Sequence, residues 1–348
     1  EDPFSLSSEE IVSIVRKAGI VGLGGAGFPT HAKISSAIGK VDTIIINGAE
    51  CEPYITSGHR GMLERGEELL DGVRVLMKAL SLDSAVIGIE NNKPDAIAHL
   101  NKILKSEHKG ISVQGLRTRY PQGAEKVLIH NTTKRIVPEG GLPADVGAIV
   151  LNVSTLAFIA KYVKTGMPLV EKTLTLDGSA VAEPKNVTVP VGTRFGDVID
   201  FCGGFTTNLD KVIAGGPMMG PTLYTLDVAS VKTTSGLLCF TKDEAYIPEE
   251  RNCIRCGKCV DHCPMGLMPF MLNAFAIKGD GEGFVKHHGL DCIECGSCSY
   301  ECPAKRQLAQ SIRATKKIEA GKKAAAAAAA AKAKAEAEAK AKAEAENK

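Results

Sequence analysis

Two cysteine runs limit what this chain can be more than any other feature. Cys253-Ile-Arg-Cys256-Gly-Lys-Cys259-Val-Asp-His-Cys263-Pro264 and Cys292-Ile-Glu-Cys295-Gly-Ser-Cys298-Ser-Tyr-Glu-Cys302-Pro303 share the spacing C-x2-C-x2-C-x3-C-P. At that spacing three neighbouring thiolates wrap one corner of a [4Fe-4S] cube and the fourth reaches a second cube. Crossed ligation follows: one cluster is predicted on Cys253, Cys256, Cys259 and Cys302, the other on Cys292, Cys295, Cys298 and Cys263. Gly257 and Gly296 permit the tight backbone that turns amides toward cluster sulfurs, and Pro264 and Pro303 steer the chain away afterwards. Zinc also accepts C-x2-C pairs, but four ligands per tetrahedral site leave the doubled run unexplained. The other thiols, Cys51, Cys202 and Cys239, lie among apolar or Gly-rich neighbours and read as buried free cysteines.

Clusters pass single electrons, so the rest of the sequence should show where electrons come from. Its 348 residues suffice for two or three domains. A net charge of +2 leaves no excess of positive charge to attract nucleic acid or anionic lipid. The longest apolar stretch, around Ala148 to Val163, is broken by Asn152, Ser154, Thr155 and Lys161, and falls short of a membrane span. The acidic start Glu1-Asp2-Pro3 has neither Met nor the basic region of a secretory signal, so the chain is expected to be a fragment or a processed form.

Near the N-terminus, Ser7 or Ser8 followed by Glu10 and the apolar Ile11, Ile14, Val15 and Ala18 predicts a capped amphipathic helix. It runs into a glycine-rich loop, Gly22-Leu23-Gly24-Gly25-Ala26-Gly27-Phe28-Pro29-Thr30, with helix resuming over His31 to Ile38. Such a loop lets backbone N–H groups approach an anion, although this one matches neither the Walker lysine spacing nor a strand-led dinucleotide fingerprint. A bland turn stays open on these residues alone. Val41 to Ile46 and Ser84 to Ile89 predict strands, Met62 to Leu80 and Asp95 to Lys105 helices, and Ser112 to Leu116 and Ala148 to Val153 further strands. This alternation implies a parallel, helix-covered sheet, which places ligands at the carboxyl ends of its strands. A lone Glu is usually a solvated loop charge, and Glu50, Glu52 and Glu125 are open to that reading.

The combination G-x-G-G-A-G-F-P-T, N-x-x-E-x-E-P, Y-x-x-G-x-E and Asn152-Val-Ser-Thr155-Leu resembles the FMN- and NADH-binding domain of the complex I flavoprotein subunit. The motif order and the joining to a two-cluster segment resemble more the RnfC family, components of the Rnf complexes, which are ion-translocating ferredoxin:NAD oxidoreductases. That resemblance runs over roughly Ser7 to Lys317. It implies an α/β fold: a Rossmann-like FMN/NADH-binding domain over 1–170, a β-grasp (SLBB) module over 171–240, an α-helical two-[4Fe-4S] ferredoxin domain over 241–318 and an Ala/Lys/Glu-rich tail over 319–348.

The resemblance also implies roles. Gly22, Gly24, Gly25, Gly27 and Lys33 should surround the FMN phosphate and ribityl chain, with Asn47, Asn152 and Thr155 near the flavin. Phe28, Glu50, Glu52 and Glu125, with Gly123 in the last motif, should face NAD(H), Phe28 as a stacking surface and the glutamates as hydrogen-bond acceptors. Two departures stand out: Ala49 replaces an Asp of the complex I motif, and Gly123-Ala124-Glu125-Lys126 carries one acid where the relative has two. The implied activity is hydride exchange between NAD(H) and FMN with single electrons passing to the clusters. The implied setting is peripheral, on the cytoplasmic side of the cell membrane, with the membrane subunits of the Rnf complex and ferredoxin or a ferredoxin-like subunit as partners. Three alternatives share parts of this layout: a soluble cobalamin reductase, a complex I or hydrogenase flavoprotein, and an electron relay without nucleotide turnover.

Between loop domain and clusters the texture changes. Thr173 to Gly178 and Asn186 to Pro190 alternate as strands, and Phe195 to Phe201 predicts a helix, consistent with a β-grasp. Met218-Met219 reads as packing at a Gly-Pro turn rather than a metal contact, and His262, His287 and His288 as surface histidines. After Lys317, the Ala, Lys and Glu tail predicts a solvated helix or a disordered segment.

Overall fold

The computed structural model describes residues 5–104 and 108–346, so the predicted helix end at Lys105 lies outside the described residues. The chain divides into two compact units, Glu1–Ile247 and Pro248–Lys348.

The first unit contains a parallel sheet of order β3-β2-β1-β4, with β1 at Thr43–Gly48, β2 at Ala85–Glu90, β3 at Ile111–Leu116 and β4 at Ala148–Asn152. Ile44, Ile45 and Ile46 are buried on both faces of β1, as the continuous β-branched run requires for a central parallel strand. The helices Gly66–Leu80 and Val153–Thr165 cross so closely that a Cβ on Gly72 would lie 2.0 Å from the Leu156 carbonyl oxygen. Helix Glu125–Thr133 packs Leu128 and Ile129 against Ile45 and Val150. The N-terminal helix Ser8–Lys17 starts at a capping box in which Ser7 and Glu10 exchange hydrogen bonds, and it buries Ile11 and Val15.

One predicted helix is two. Ser57–Glu64 and Gly66–Leu80 are separated at Arg65, whose φ of −127° and ψ of 34° are not helical. The junction brings Gly66 against the neighbouring helix Pro94–Ile103, where a Cβ would meet Ile103 at 2.7 Å. Tertiary packing therefore overrides a periodicity that reads as continuous.

A second sheet of the same unit has order β6-β5-β9-β7-β8, with β5 at Glu171–Asp177, β6 at Lys185–Pro190, β7 at Lys211–Ala214, β8 at Thr222–Leu223 and β9 at Gly236–Phe240. The helix Phe195–Phe201 contributes Phe195, Val198 and Ile199 to its core. Strand β9 is buried throughout and pairs parallel with β5 and antiparallel with β7. Its run Gly-Leu-Leu-Cys-Phe has no alternation to announce a strand, so periodicity alone does not reveal it.

In the second unit, the short helices Lys258–Asp261 and Ser297–Tyr300 each follow a left-handed glycine, Gly257 at φ 79° and Gly296 at φ 82°. Helices Pro269–Lys278 and Gly281–Lys286 lie between them in the chain, and Leu272, Phe284 and Ile312 form a buried core with the start of the final helix, Leu308–Glu346. That helix is exposed at every position over 320–334, which matches its lack of an apolar stripe.

Candidate functional site

In the second unit the eight cysteines of the two runs fall into two sets. Cys253, Cys256, Cys259 and Cys302 line one cavity together with Ile254, Phe270 and Leu308. Cys263, Cys292, Cys295 and Cys298 line another, closed by Leu267, Leu272 and Ile312. Each set takes three thiols from one run and one from the other, because the left-handed glycine curls each C-x2-C-x2-C segment while the following turn throws the fourth cysteine across. The sets differ in exposure: Cys253 and Cys256 are exposed, whereas Cys295 and Cys298 are buried. Burial pushes the thiols of Cys292 up to about 11 and Cys298 up to about 12, so an iron that takes these sulfurs must first displace their protons. Four thiols around each apolar cavity are a donor set that suits a [4Fe-4S] cube. Of the nearby histidines, His262 and His288 are exposed as expected, while the His287 ring packs against Phe275 at 4.8 Å.

In the first unit the glycine-rich loop lies against the carboxyl edge of the parallel sheet. Asn47 of β1 and Asn152 of β4 are register partners at that edge. Asn152 caps the helix that follows by accepting from the Ser154 amide at 2.9 Å, and a Cβ on Gly24 would lie 3.1 Å from its Nδ2. The Thr155 hydroxyl, buried, accepts from the Leu23 amide at 3.0 Å. Asn47 donates to the Gly123 carbonyl at 2.8 Å, and Gly123 is held so near Ala49 that a Cβ would lie 2.5 Å from the Ala49 oxygen.

The loop closes on itself through Gly22 N–H to Phe28 carbonyl, 2.9 Å, and Gly27 N–H to Gly22 carbonyl, 3.2 Å. Gly25 and Gly27 take φ of 106° and 67°, which a side chain would resist. Gly24, Gly25 and Ala26 are exposed, and their amides make no hydrogen bond among the described residues. Unpaired amides on exposed small residues fit the phosphate and polar chain of a flavin nucleotide. Phe28 is 57% exposed and presents a free aromatic face.

The charged candidates are engaged with partners inside the fold. Lys33 and Glu125 form an ion pair with each other. Glu50 accepts from the Gly58 and His59 amides at 2.6 and 3.0 Å, capping the helix Ser57–Glu64. Glu52 accepts from the Met218 amide at 3.1 Å, and its carboxylate lies where a Cβ on Gly216 would stand. The Gly-Pro-Met-Met turn thus contributes backbone amides to Glu52, in addition to methionine side chains. Burial raises the pKa of both Glu50 and Glu52, with the amide hydrogen bonds opposing it. Cys51 is half-buried beside them, accepts from the Gly123 amide at 3.3 Å, and is pushed up to about 11 by desolvation.

Three lysines here carry no motif that would single them out in the sequence. Lys93, buried, donates to the Glu50 carbonyl at 3.2 Å. Lys172, also buried, donates to the Leu23 carbonyl at 3.0 Å, and Lys232 to the Gly19 carbonyl at 2.6 Å. For Lys172 a signal existed, since it shares the inward face of β5 with Leu174 and Leu176.

Comparison with known proteins assigns these features. Residues 15–161 match the Nuo51 FMN-binding domain, 173–222 the SLBB domain and 252–306 the 4Fe-4S dicluster domain. The chain is 50% identical over 313 residues, 89% of its own length and 68% of the relative's, to the RnfC subunit of the proton-translocating ferredoxin:NAD(+) oxidoreductase complex of Clostridium ljungdahlii. The chain belongs to the RnfC family. Its likeness to the RnfC subunit of the Na(+)-translocating complex of Acetobacterium woodii is 46% over 313 residues, covering 90% of this chain and 70% of that one. To the RnfC of Rhodobacter capsulatus it is 41% over 285 residues, covering 82% and 55%. A solved NAD+-reducing [NiFe]-hydrogenase in the air-oxidized state shares the fold at TM-score 0.61 and 21% identity, over 90% of this chain and 54% of that one. In this member of the RnfC family the fold is therefore a flavin-type α/β domain with an SLBB module, followed by a dicluster ferredoxin domain.

Proposed function

We propose that the chain is the electron-transfer subunit of a membrane-bound, ion-translocating ferredoxin:NAD oxidoreductase, exchanging hydride between NAD(H) and FMN and single electrons with two [4Fe-4S] clusters. The observation that carries this is the division of eight cysteines into two four-thiol cavities on a chain that also presents an FMN-family loop with unpaired amides. The bound groups supply the redox chemistry, two-electron exchange at the flavin and one-electron transfer at the clusters. The protein's part is placement. Amides of Gly24, Gly25 and Ala26 would receive the flavin phosphate, Asn47, Asn152 and Thr155 line the sheet edge beside it, and Phe28 offers a face for the nicotinamide nucleotide. Cys253, Cys256, Cys259 and Cys302 would hold one cluster, and Cys263, Cys292, Cys295 and Cys298 the other.

No helix among the described residues is long and apolar enough to cross a membrane, which suits a peripheral subunit held on the cytoplasmic side by the membrane subunits of the Rnf complex. Ferredoxin or a ferredoxin-like subunit is the electron partner in this reading. A second reading, a relay that holds flavin but turns over no nucleotide, is favoured by the engagement of Glu50 and Glu52 with backbone amides. An anaerobic NADH titration of the reconstituted protein separates the two. Joint bleaching of flavin and cluster absorbance is the expected result; bound flavin and clusters that ignore NADH would replace the first reading with the relay.

A further inference from the structure

The second sheet and the segments around it touch the flavin-type domain at several places, among them Thr175 on the Thr56 amide, Glu171 on Lys161 and the glycine-rich loop. Lys172 of β5 donates to the carbonyl of Leu23, the second residue of the loop. Lys232, in the segment that leads into β9, donates to the carbonyl of Gly19, where the N-terminal helix gives way to the loop. Thr233 beside it packs on Gly27, with its methyl 2.7 Å from the position a Cβ would take. Leu23 is held from both sides, since its amide donates to Thr155 and its carbonyl accepts from Lys172.

We propose that Lys172 and Lys232 are positioning residues that hold the glycine-rich loop in its flavin-binding conformation, acting through the backbone carbonyls of Leu23 and Gly19. The SLBB-containing half of the unit then does more than sit beside the flavin domain: it sets the shape of the cradle. The inference rests on the reading that this loop receives the flavin.

Three observations support it. First, Lys172 is only 5% exposed, and among the described residues no carboxylate stands within ion-pair distance of it. A buried ammonium with no carboxylate in direct contact is expensive, and what it gains here is a charge-assisted bond to one loop carbonyl. Second, Lys232 lies just beyond the C-terminus of the helix Ser8–Lys17, where the helix dipole favours a cation, so it fixes the point from which the loop departs. Third, with the carbonyls of Gly19 and Leu23 tied inward, the Leu23–Gly24 peptide and the two that follow it carry the unpaired amides of the exposed Gly24, Gly25 and Ala26. A loop with this much glycine would otherwise sample many conformations, and ordering it in advance spares the ligand that entropy. Desolvation lowers Lys172 to about 8, with Arg65 adding to that effect and Glu50 opposing it, which is the cost of burial that its bond to the Leu23 carbonyl offsets.

The test compares the full chain with Lys172→Met, Lys232→Met and Lys232→Arg. Amide hydrogen exchange of residues 19–30 is read without flavin, alongside exchange of strand β1 as the internal standard. FMN affinity is read by quenching of flavin fluorescence. Both Met variants are expected to exchange the loop about tenfold faster, leave β1 protected and bind FMN about tenfold more weakly, while Lys232→Arg keeps wild-type behaviour in both. If Lys172→Met also exposes β1, Lys232→Met decides, because Lys232 is only half-buried. Unchanged loop exchange in Lys232→Met would overturn the clamp and leave the flavin reading intact. Faster exchange with unchanged FMN affinity would overturn the proposal from the other side, by showing that the flavin does not use this loop.

Discussion

In the C-terminal unit the groups that would hold cofactor lie a few residues apart, three thiols per run with one crossing over. In the N-terminal unit the groups around the glycine-rich loop come from across the chain: Leu23 meets Thr155 across 132 residues and Lys172 across 149. The first kind of site is local and depends on a short backbone pattern, Gly257 and Gly296 in left-handed conformation followed by a single turn of helix. The second exists only when two sheets are folded and apposed within the unit. Thiol ligands are therefore visible in the residue order, while a cradle made of backbone amides is only as good as the packing behind it.

The largest effect that would break this comparison belongs to the cysteines. Replacing Cys263 with Ala should abolish the cluster assigned to Cys292, Cys295 and Cys298 and spare the other, read by iron content and electron paramagnetic resonance; loss of the cluster on its own run would refute the crossed arrangement. Next, Gly72→Ala should destabilise the first unit by about 3 kcal/mol or more, because a methyl cannot fit against the Leu156 carbonyl. Iron content should survive that change, since all eight run cysteines belong to the other unit. Calorimetry alongside iron analysis checks both.

A smaller effect concerns acidity. Burial raises Glu50, Glu52 and Glu90 above the ordinary 4.5, so over that range the native state holds protons that the unfolded chain has released. Their contribution to stability is fully present below about pH 4.5 and is lost as pH climbs through the raised values. Glu90→Gln should flatten part of that decline in a melting-temperature series against pH; an unaltered slope would mean that Glu90 titrates normally. The smallest effect is expected at the ion pair of Lys33 and Glu125, whose side chains are 29% and 38% exposed. Glu125→Gln should change unfolding free energy by less than about 1 kcal/mol in a denaturant titration. Its effect on NADH affinity is the sharper readout, and a null result there would favour the relay.

Much of the scaffold is legible in the residues themselves. The capping box at Ser7 and Glu10, the helix Phe195–Phe201 and the β-branched core of β1 follow from local rules of capping and periodicity, and the structure has them where those rules place them. The break at Arg65 is not legible, because it answers to the helix Pro94–Ile103 and not to its own neighbours. Strand β9 escapes notice because a strand buried on both faces loses its alternation. The carboxylates show a third kind of gap: motif resemblance names Glu50 and Glu52, but no local pattern says that amides of Gly58, His59 and Met218 will reach them.

The kind of chemistry was already written in the residue order, since thiol spacing and glycine placement are covalent facts that no folding can rearrange. That order also determined the alternation of strands and helices, because side-chain periodicity acts over a few residues. Which carbonyls the buried Lys172 and the half-buried Lys232 satisfy, which charges neutralise one another, and which amides are left unpaired came from the folded packing. Those outcomes depend on distances between residues far apart in the chain, and a hydrogen bond falls away within about an ångström of its proper length.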